Sequence, residues 1–164
     1  MSLWSKLKGR SPKTAPPEVQ THDLHLSLPA MPAALYAVGD VHGCLGLYQD
    51  IEAQILADGA HILGPKLIVL LGDVVDRGPN SAGVIDHVQS PLPDGWQRLV
   101  LRGNHESMML KFLEAPEKSR RWLDFGGAQT LQSYGITPDP EHGFNLSGER
   151  LAQMLASSVP QEHI

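Results

Sequence analysis

The sequence predicts an α/β fold with a parallel sheet. Three short apolar runs each stop at a cluster of glycine and polar residues, and they occupy residues 35–38, 67–71 and 99–101. Asp40 and Asp73 are 33 positions apart, and Asp73 and Asn104 are 31 apart, the length that a strand, a crossover helix and the next parallel strand require. Open α/β sheets bind ligands at the carboxyl ends of their strands, so the three clusters are expected to form one site.

The first two strands and the helix between them follow from local patterns. Ala33 to Val38 is expected to form the first buried strand. Apolar residues then recur at helical spacing from Leu45 to Leu56 and stop at Asp58 and Gly59, which predicts a helix and its end. Residues 67–71 carry no charge, so the second strand is expected to be among the most buried in the sheet.

The remaining elements are expected to be mostly helical. Pro79 or Asn80 opens a second helix, and a return loop at residues 91–95 leads to the third strand. The apolar stripe of a third helix is predicted at Met108, Met109, Phe112 and Leu113. A short helix is expected to end at Gly135, Ser147 to cap a further one, and Pro160 to begin the first turn of another.

Composition limits the classes of protein to consider. The chain has 164 residues, long enough for one domain with a core. We expect a flexible tail at residues 1–30, with a possible short strand near residues 24–28, and a domain at residues 31–164. The net charge of −5 and the lack of a basic face argue against nucleic acid as a partner. A single cysteine and the absence of a long apolar run favour the cytoplasm and no stable membrane insertion. The oligomeric state is left open.

The polar residues at the strand ends are suited to bind metal ions. Asp40 and His42 are two positions apart, so in an extended segment they point to the same side and can bind one ion. Asp73 can bridge that ion to a second, for which Asn104 offers a neutral oxygen. Mixed oxygen and imidazole ligands suit manganese, with iron and zinc as alternatives. Two ions about 4 Å apart can share a bridging hydroxide that attacks phosphorus.

The other polar residues then fit the chemistry of phosphate-ester cleavage. Arg77 and Arg102 can bind phosphate oxygens through forked hydrogen bonds, and Asn104, two positions after Arg102, is assigned to phosphate binding with them. His105 is placed to protonate the leaving oxygen as the catalytic acid, and Asp76 to orient its ring and hold it cationic. The site prediction therefore combines metal ligands, phosphate-binding residues and a catalytic acid.

The three motifs GDVHG, GDVVDRGPNS and LRGNHE resemble those of the calcineurin-like metallophosphoesterases. The DRG and GNHE forms are similar to the branch that contains serine/threonine protein phosphatases and symmetrical diadenosine tetraphosphatases, and WLDFGGAQTLQSYG is similar to its bacterial members. The resemblance implies an α/β sandwich, of which this chain would supply the N-terminal portion, βαβαβ followed by helices. It also implies two divalent metal ions and the same ligand, phosphate and acid roles for the residues named above.

The resemblance extends over only part of the family pattern. The family completes its second metal site with two histidines from later strand ends, and neither motif is present. His142 lies in a turn and His163 in the unfinished last helix, so both are expected to be surface residues. We therefore expect a chain truncated after the N-terminal half, with one apolar face of its sheet uncovered.

Three functions remain open on these grounds. The leading hypothesis is a metal-dependent phosphatase acting on phosphoprotein or small phosphoesters. The second is a symmetrical diadenosine tetraphosphatase-type hydrolase. The third is a metal- or phosphate-binding fragment without catalytic activity.

Overall fold

The computed structural model describes residues 31–141, 143–144 and 146–164. The expected tail at residues 1–30, the possible strand within it and the expected surface position of His142 lie outside the described residues. The division into a tail and a domain stays a prediction.

The sheet has three parallel strands. They are β1 (Ala34–Val38), β2 (Lys66–Leu70) and β3 (Trp96–Val100), in the order β1-β2-β3. The α/β prediction is confirmed, and β2 is central, with its residues mostly buried. Strand β3 begins at Trp96, earlier than the apolar run that predicted it, because Arg98 in its middle points into the core and interrupts the apolar pattern.

Helices connect and follow the strands. They are α1 (Leu45–Asp58), α2 (Ser81–Gln89), α3 (Asn104–Glu114), α4 (Gly127–Ser133) and α5 (Gly148–Ser158), with 3-10 turns at Gly59–His61, Pro116–Lys118, Arg120–Phe125 and Gln161–His163. Two predicted caps are present: Asn80 Oδ1 accepts from the Gly83 N–H at 3.0 Å, and Ser147 Oγ from the Arg150 N–H at 3.4 Å. In the part of the chain with assigned structure, none of these helices has the length and apolarity needed to cross a bilayer.

The main core lies between one face of the sheet and the helices. Ile68 and Leu70 share that face, are fully buried, and pack in one cluster with Tyr48 of α1 and Val84 of α2. A contact of this kind is stabilised by removing apolar area from water, at about 25 cal/mol per Å². The core therefore anchors the carboxyl end of β2, where Asp73 and Asp76 follow.

The opposite face of the sheet is partly exposed. Leu35, which lies beside Leu67 in the parallel register, has 58 % of its surface exposed. Leu71 and Leu101, which directly follow β2 and β3, are 55 % and 43 % exposed. The expectation that β1 is buried is wrong for this face, because β1 is an edge strand and only its Tyr36 and Val38 side turns toward the helices.

A buried polar cluster joins α1, α2 and β3. The guanidinium of Arg98 donates to Glu52 Oε1 through Nε at 3.0 Å and also through Nη2. Tyr48 donates to the same carboxylate at 2.8 Å, and a ring nitrogen of His87 lies 2.7 Å from it. Burial alone would raise the pKa of Glu52, but the hydrogen bonds from Tyr48, Arg98 and His87 outweigh it and lower that pKa.

His163 departs from its expected surface position. Only 3 % of its side chain is exposed, with Nδ1 3.0 Å from the Tyr134 hydroxyl and Nε2 3.1 Å from Asp86 Oδ1. The last turn thus packs against α2 instead of extending into solvent. Both ring nitrogens of His163 lie within hydrogen-bonding distance of these side chains.

Candidate active site

The loops after the three strands meet at one end of the sheet. The His42 N–H donates to the Asp73 carbonyl at 2.9 Å, which joins the first two loops. The loops after β2 and β3 touch more closely, since a Cβ placed on Gly103 would lie 2.2 Å from Asp73 Oδ1. Any larger residue at position 103 would push the carboxylate away, so this glycine is required by the site.

Backbone strain is concentrated in the same loops. Among the described residues, four that are not glycine have positive φ: His42 (45°), Asp73 (53°), Asp76 (73°) and Arg77 (66°). Each such residue costs of order 1–3 kcal/mol and persists where its surroundings hold it in place. All four belong to the set predicted from the sequence, and their side chains lie around His105: Asp76 and Arg77 contact its ring, and His42 and Asp73 each place a ligand atom within 4.8 Å of one of its ring nitrogens.

Three of the side chains form a group suited to a metal ion. One ligand atom from each of His42, Asp73 and His105 lies within 4.8 Å of the others. Asp40 lies at the edge of this group, with 65 % of its side chain exposed and Oδ2 3.6 Å from His42 Nε2. That separation agrees with the expectation that Asp40 and His42 point to the same side.

The ring of His42 is oriented like that of a metal ligand. Its Nδ1 lies 2.9 Å from the Val75 carbonyl, which requires the proton on Nδ1 and leaves a lone pair on Nε2. Nε2 is buried and has no hydrogen-bond partner among the described residues. A buried imidazole nitrogen without a partner is costly, and a cation between it and the carboxylates of Asp40 and Asp73 would satisfy it. The donor set of the site therefore fits a divalent metal ion.

His105 is fixed by contacts at both ring nitrogens. Its Nδ1 lies 2.7 Å from Asp76 Oδ2 and donates to that carboxylate, while Nε2 lies 3.1 Å from Arg77 Nη2. A guanidinium only donates, so in this arrangement Nε2 accepts and the ring is neutral. His105 itself is buried and its backbone N–H donates to Asp73 Oδ1 at 2.9 Å.

Asp76 is held by a second layer of residues from later in the chain. It is fully buried, and it accepts from Trp122 Nε1 and Thr130 Oγ1, each at 2.7 Å. Ser81 and Thr130 also accept from its backbone N–H, at 3.0 and 2.9 Å. These partners fix the carboxylate that orients His105. Sequence reasoning did not identify Trp122 or Thr130 in this role, because they follow Asp76 by 46 and 54 positions.

Glu106 is a further residue without a predicted role. Oε2 accepts from the backbone N–H groups of Asp73 and Gly103 at 2.8 and 2.7 Å, and Oε1 from those of Val74 and Val75 at 2.8 and 3.2 Å. This single carboxylate therefore holds the loop that carries Asp73 against the start of α3. A glutamate three residues after a helix-capping position is a sequence signal for the hydrogen bond to the Gly103 N–H. No comparable signal indicates its hydrogen bonds to the loop after β2.

Two predicted residues are less closely integrated. Asn104 is exposed and opens α3, so it and His105 lie in the first helical turn and not at a strand tip. Arg102 is exposed and lies with Glu106 and His163 around a different cavity. The structure thus brings together Asp40, His42, Asp73, Asp76, Arg77 and His105, with Asn104 adjacent to His105 in the chain.

Comparison with known proteins gives a consistent set of relatives. A family model for the calcineurin-like phosphoesterase domain matches residues 34–158. Serine/threonine-protein phosphatase 1 of Salmonella typhimurium is 36 % identical over 93 residues, 57 % of this chain and 38 % of that protein. Serine/threonine-protein phosphatase 2 of Escherichia coli is 36 % identical over 97 residues, again 57 % and 38 %.

A second group of relatives carries a different name. The symmetrical bis(5′-nucleosyl)-tetraphosphatase of Dechloromonas aromatica is 32 % identical over 106 residues, 65 % of this chain and 34 % of that protein. The chain thus matches between a third and two fifths of the length of these relatives.

Proposed function

The chain belongs to the calcineurin-like phosphoesterase family, and from this membership we propose that it serves as a metal-dependent phosphatase that hydrolyses phosphomonoesters in phosphoprotein. The observation that carries the proposal is the buried, unpartnered Nε2 of His42 facing the carboxylates of Asp40 and Asp73. The 36 % identity to two proteins named serine/threonine-protein phosphatases supports this choice of substrate.

The proposal assigns the metal ligands as follows. Asp40, His42 and Asp73 would hold one divalent cation, and Asp73 with Asn104 would contribute to a second. Manganese suits this oxygen and imidazole set, with iron and zinc as alternatives. When bound, the cations would act as Lewis acids that activate the attacking water and neutralise charge on the phosphoryl oxygens.

Arg77 would move from His105 to the substrate. Its guanidinium now donates toward Nε2 of His105, and in the complex it would donate to phosphate oxygens, with Arg102 as a second donor. While Arg77 donates to Nε2, a proton on Nε2 would face a second N–H donor. Once the guanidinium has turned to the phosphate, Nε2 can carry a proton. Substrate binding would thus prepare the acid.

His105 would then protonate the leaving oxygen through Nε2. Asp76 accepts from Nδ1 and so stabilises the cationic ring, and its bonds to Trp122 and Thr130 keep it in place during proton transfer. The burial of both side chains shields the hydrogen bond between them from water. The proton lost by His105 goes to the departing alkoxide, which leaves as the alcohol.

A second candidate is cleavage of a dinucleoside polyphosphate. Relatives named symmetrical bis(5′-nucleosyl)-tetraphosphatase match up to 77 % of this chain, and the same residues suit both substrates. A third is a metal- or phosphate-binding module without catalysis. For all three, the proposal places the protein in the cytoplasm, as the single cysteine of the sequence favours, and includes no nucleic-acid partner.

The proposal is tested with manganese-loaded protein and three substrates: p-nitrophenyl phosphate, a phosphothreonine peptide and diadenosine tetraphosphate. We expect turnover of the first two, lost in Asp73→Ala and retained in the control Asp50→Ala, an exposed residue of α1. Faster cleavage of diadenosine tetraphosphate would favour the second candidate. Phosphate binding with a background rate unaffected by Asp73→Ala would favour the third.

A crystallographic measurement tests the metal site independently of activity. Anomalous scattering from manganese-soaked crystals is expected to place an ion against His42 Nε2 and the Asp73 carboxylate. Density from manganese elsewhere, with none touching Asp40, His42 or Asp73, would refute the proposed site.

A further inference from the structure

A cavity beside the candidate active site has no role in the chemistry described above. It has a volume of about 360 Å³ and is lined by Met108, Lys111, Ser119, Arg121, Trp122 and Phe125. Its floor is apolar, with Trp122 2 % exposed, and its rim carries two cations, Lys111 and Arg121. Phe125 is 42 % exposed, and the Arg121 guanidinium lies over its ring at 5.4 Å from the centroid.

Two elements connect this cavity to the site. Along α3, Asn104, Met108 and Lys111 are spaced by four and three residues, so they share one face of the helix and lead from the site to the cavity. At the other side, Gly126 follows Phe125, and its carbonyl accepts from the Arg77 N–H at 3.2 Å. The cavity therefore begins where the proposed phosphate-binding residues end.

The polar groups of the lining determine the kind of ligand it fits. Ser119 Oγ donates to the Lys111 carbonyl at 3.2 Å, and Trp122 Nε1 donates to Asp76. Both are already bonded, which leaves the two exposed cations as the polar contacts that a ligand would find among the lining residues. A nucleobase is read through hydrogen bonds to its edge, and this lining offers little for that purpose. An apolar or aromatic side chain beside an acidic one matches both floor and rim.

We propose that this cavity binds an aromatic side chain, with an adjacent acidic residue, of a phosphopeptide whose phosphoryl group lies at His42, Asp73 and Arg77. The inference rests on the proposed function and specifies its substrate class. From Asn104 to Lys111 is seven residues of helix, about 10 Å at 1.5 Å per residue. An extended peptide covers about 10 Å in three residues, which places the acidic residue at Lys111 three positions from the phosphorylated one, and the aromatic residue at Met108 one position nearer.

The ring would pack on Met108 and Phe125, with the buried Trp122 beneath them. Methionine adapts its shape to an incoming side chain, and edge-to-face contact with Phe125 adds to the area buried. The acidic residue next to the ring would lie between Lys111 and Arg121. Arg121, which now covers Phe125, would turn from the ring to the carboxylate. The contribution of the acidic residue to affinity would therefore fall as salt is raised, whereas that of the ring would not.

The test uses fluorescence anisotropy of labelled phosphothreonine peptides with manganese-loaded protein. The reference peptide has phenylalanine two positions from the phosphothreonine, followed by aspartate at the third, and two companions replace phenylalanine with alanine or aspartate with lysine. Phe125→Ala and Lys111→Glu are compared with two exposed controls, Leu63→Ala and Arg150→Glu. Turnover of p-nitrophenyl phosphate, which is too short to reach the cavity, is measured in parallel.

We expect Phe125→Ala to raise Kd for the reference peptide about tenfold and to leave Kd for the alanine peptide unchanged. Lys111→Glu is expected to raise Kd for the reference peptide about fivefold at low salt and to have less effect at high salt. For the lysine peptide, the same change is expected to lower Kd. Neither change alters turnover of p-nitrophenyl phosphate. The controls bind as the parent does.

Other results would overturn the inference. Equal affinity for the phenylalanine and alanine peptides, or an equal loss on both in Phe125→Ala, would remove the aromatic subsite. Displacement of the reference peptide by adenosine monophosphate, abolished by Phe125→Ala, would assign the cavity to a nucleotide instead. If the chain hydrolyses no substrate but binding still depends on the phenylalanine, the proposed function fails while the cavity retains its assignment.

Discussion

The carboxylate of Glu106 provides a sharp test of how the site is assembled. It accepts hydrogen bonds from four backbone N–H groups, two at each oxygen, belonging to Asp73, Val74, Val75 and Gly103. Replacing Glu106 by Gln keeps the shape of the side chain but leaves one oxygen. Two of the four N–H groups must therefore lose their acceptor and face an amide N–H₂ group.

The magnitude follows from these contacts. A buried N–H left without an acceptor costs about 1–3 kcal/mol. Glu106 is half-buried, so the two lost bonds are expected to cost at the lower end, about 2.5 kcal/mol in total. For a domain of this size 1 kcal/mol shifts Tm by roughly 4 °C, which gives a decrease of about 10 °C. Release of the loop should also weaken manganese binding about tenfold, as loss of an outer contact typically does.

Tm is measured by thermal denaturation without metal, and manganese affinity by electron paramagnetic resonance. Glu114→Gln, an exposed residue at the other end of α3, controls for the change in charge. If Glu106→Gln lowers Tm no more than the control and binds manganese equally well, the carboxylate does not hold the loop. A fall in Tm with unchanged manganese affinity would show that the loop is stabilised but the ligand geometry is not set there.

Three further predictions concern other parts of the molecule. His42→Gln is expected to weaken manganese binding about 100-fold because it removes the unpartnered Nε2. His61→Gln, a change at an exposed residue, is the control and should bind as the parent does; equal manganese affinity of the two variants would exclude His42 as a ligand. Glu52→Gln is expected to lower the free energy of unfolding by about 3 kcal/mol at pH 7, because it leaves Arg98 buried without its anion. Since folding lowers the pKa of Glu52, the parent keeps this contribution above about pH 4.5 and loses it as the pH falls through the folded pKa. Urea denaturation curves of parent and variant should therefore converge in acid, and stabilities that fall in parallel with pH would contradict the assignment. Leu35→Lys on the exposed sheet face is expected to reduce self-association, measured by light scattering, because it interrupts an apolar surface. Leu63→Lys, at another exposed leucine, should reduce it less, and equal effects of the two changes would mean that this face does not drive association.

The strand-end motifs made much of the site predictable. Each short apolar run indicates a strand buried in a sheet, and the spacings of 33 and 31 residues between the polar clusters are long enough to include a crossover helix. With the strands parallel, Asp40, Asp73 and Asn104 had to lie at one edge. The expectation that β1 is a buried strand failed for the face that carries Leu35, because burial depends on which elements cover a strand, and apolar character alone does not report that.

The arrangement of His105 and its neighbours could be anticipated only in part. Pairing of His105 with Asp76 was expected from the proposed chemistry and is present at 2.7 Å. The contact of Arg77 with the second ring nitrogen was not expected, and neither were the bonds from Trp122 and Thr130 to the buried carboxylate. The absence of a buried strand before His163 predicts a surface position for it, yet its side chain is covered by packing against α2.

The order of the elements, the parallel sheet and the residue types at its carboxyl edge follow from local patterns, because hydrophobic runs, glycines and crossover lengths act over short stretches of chain. Three features depend instead on folding: which ring nitrogen of His42 is left without a partner, how Glu106 joins two loops, and that Trp122 and Thr130, more than forty positions away, hold Asp76. These features depend on distances of a few tenths of an ångström between distant segments, and hydrogen bonds are satisfied or lost over that range.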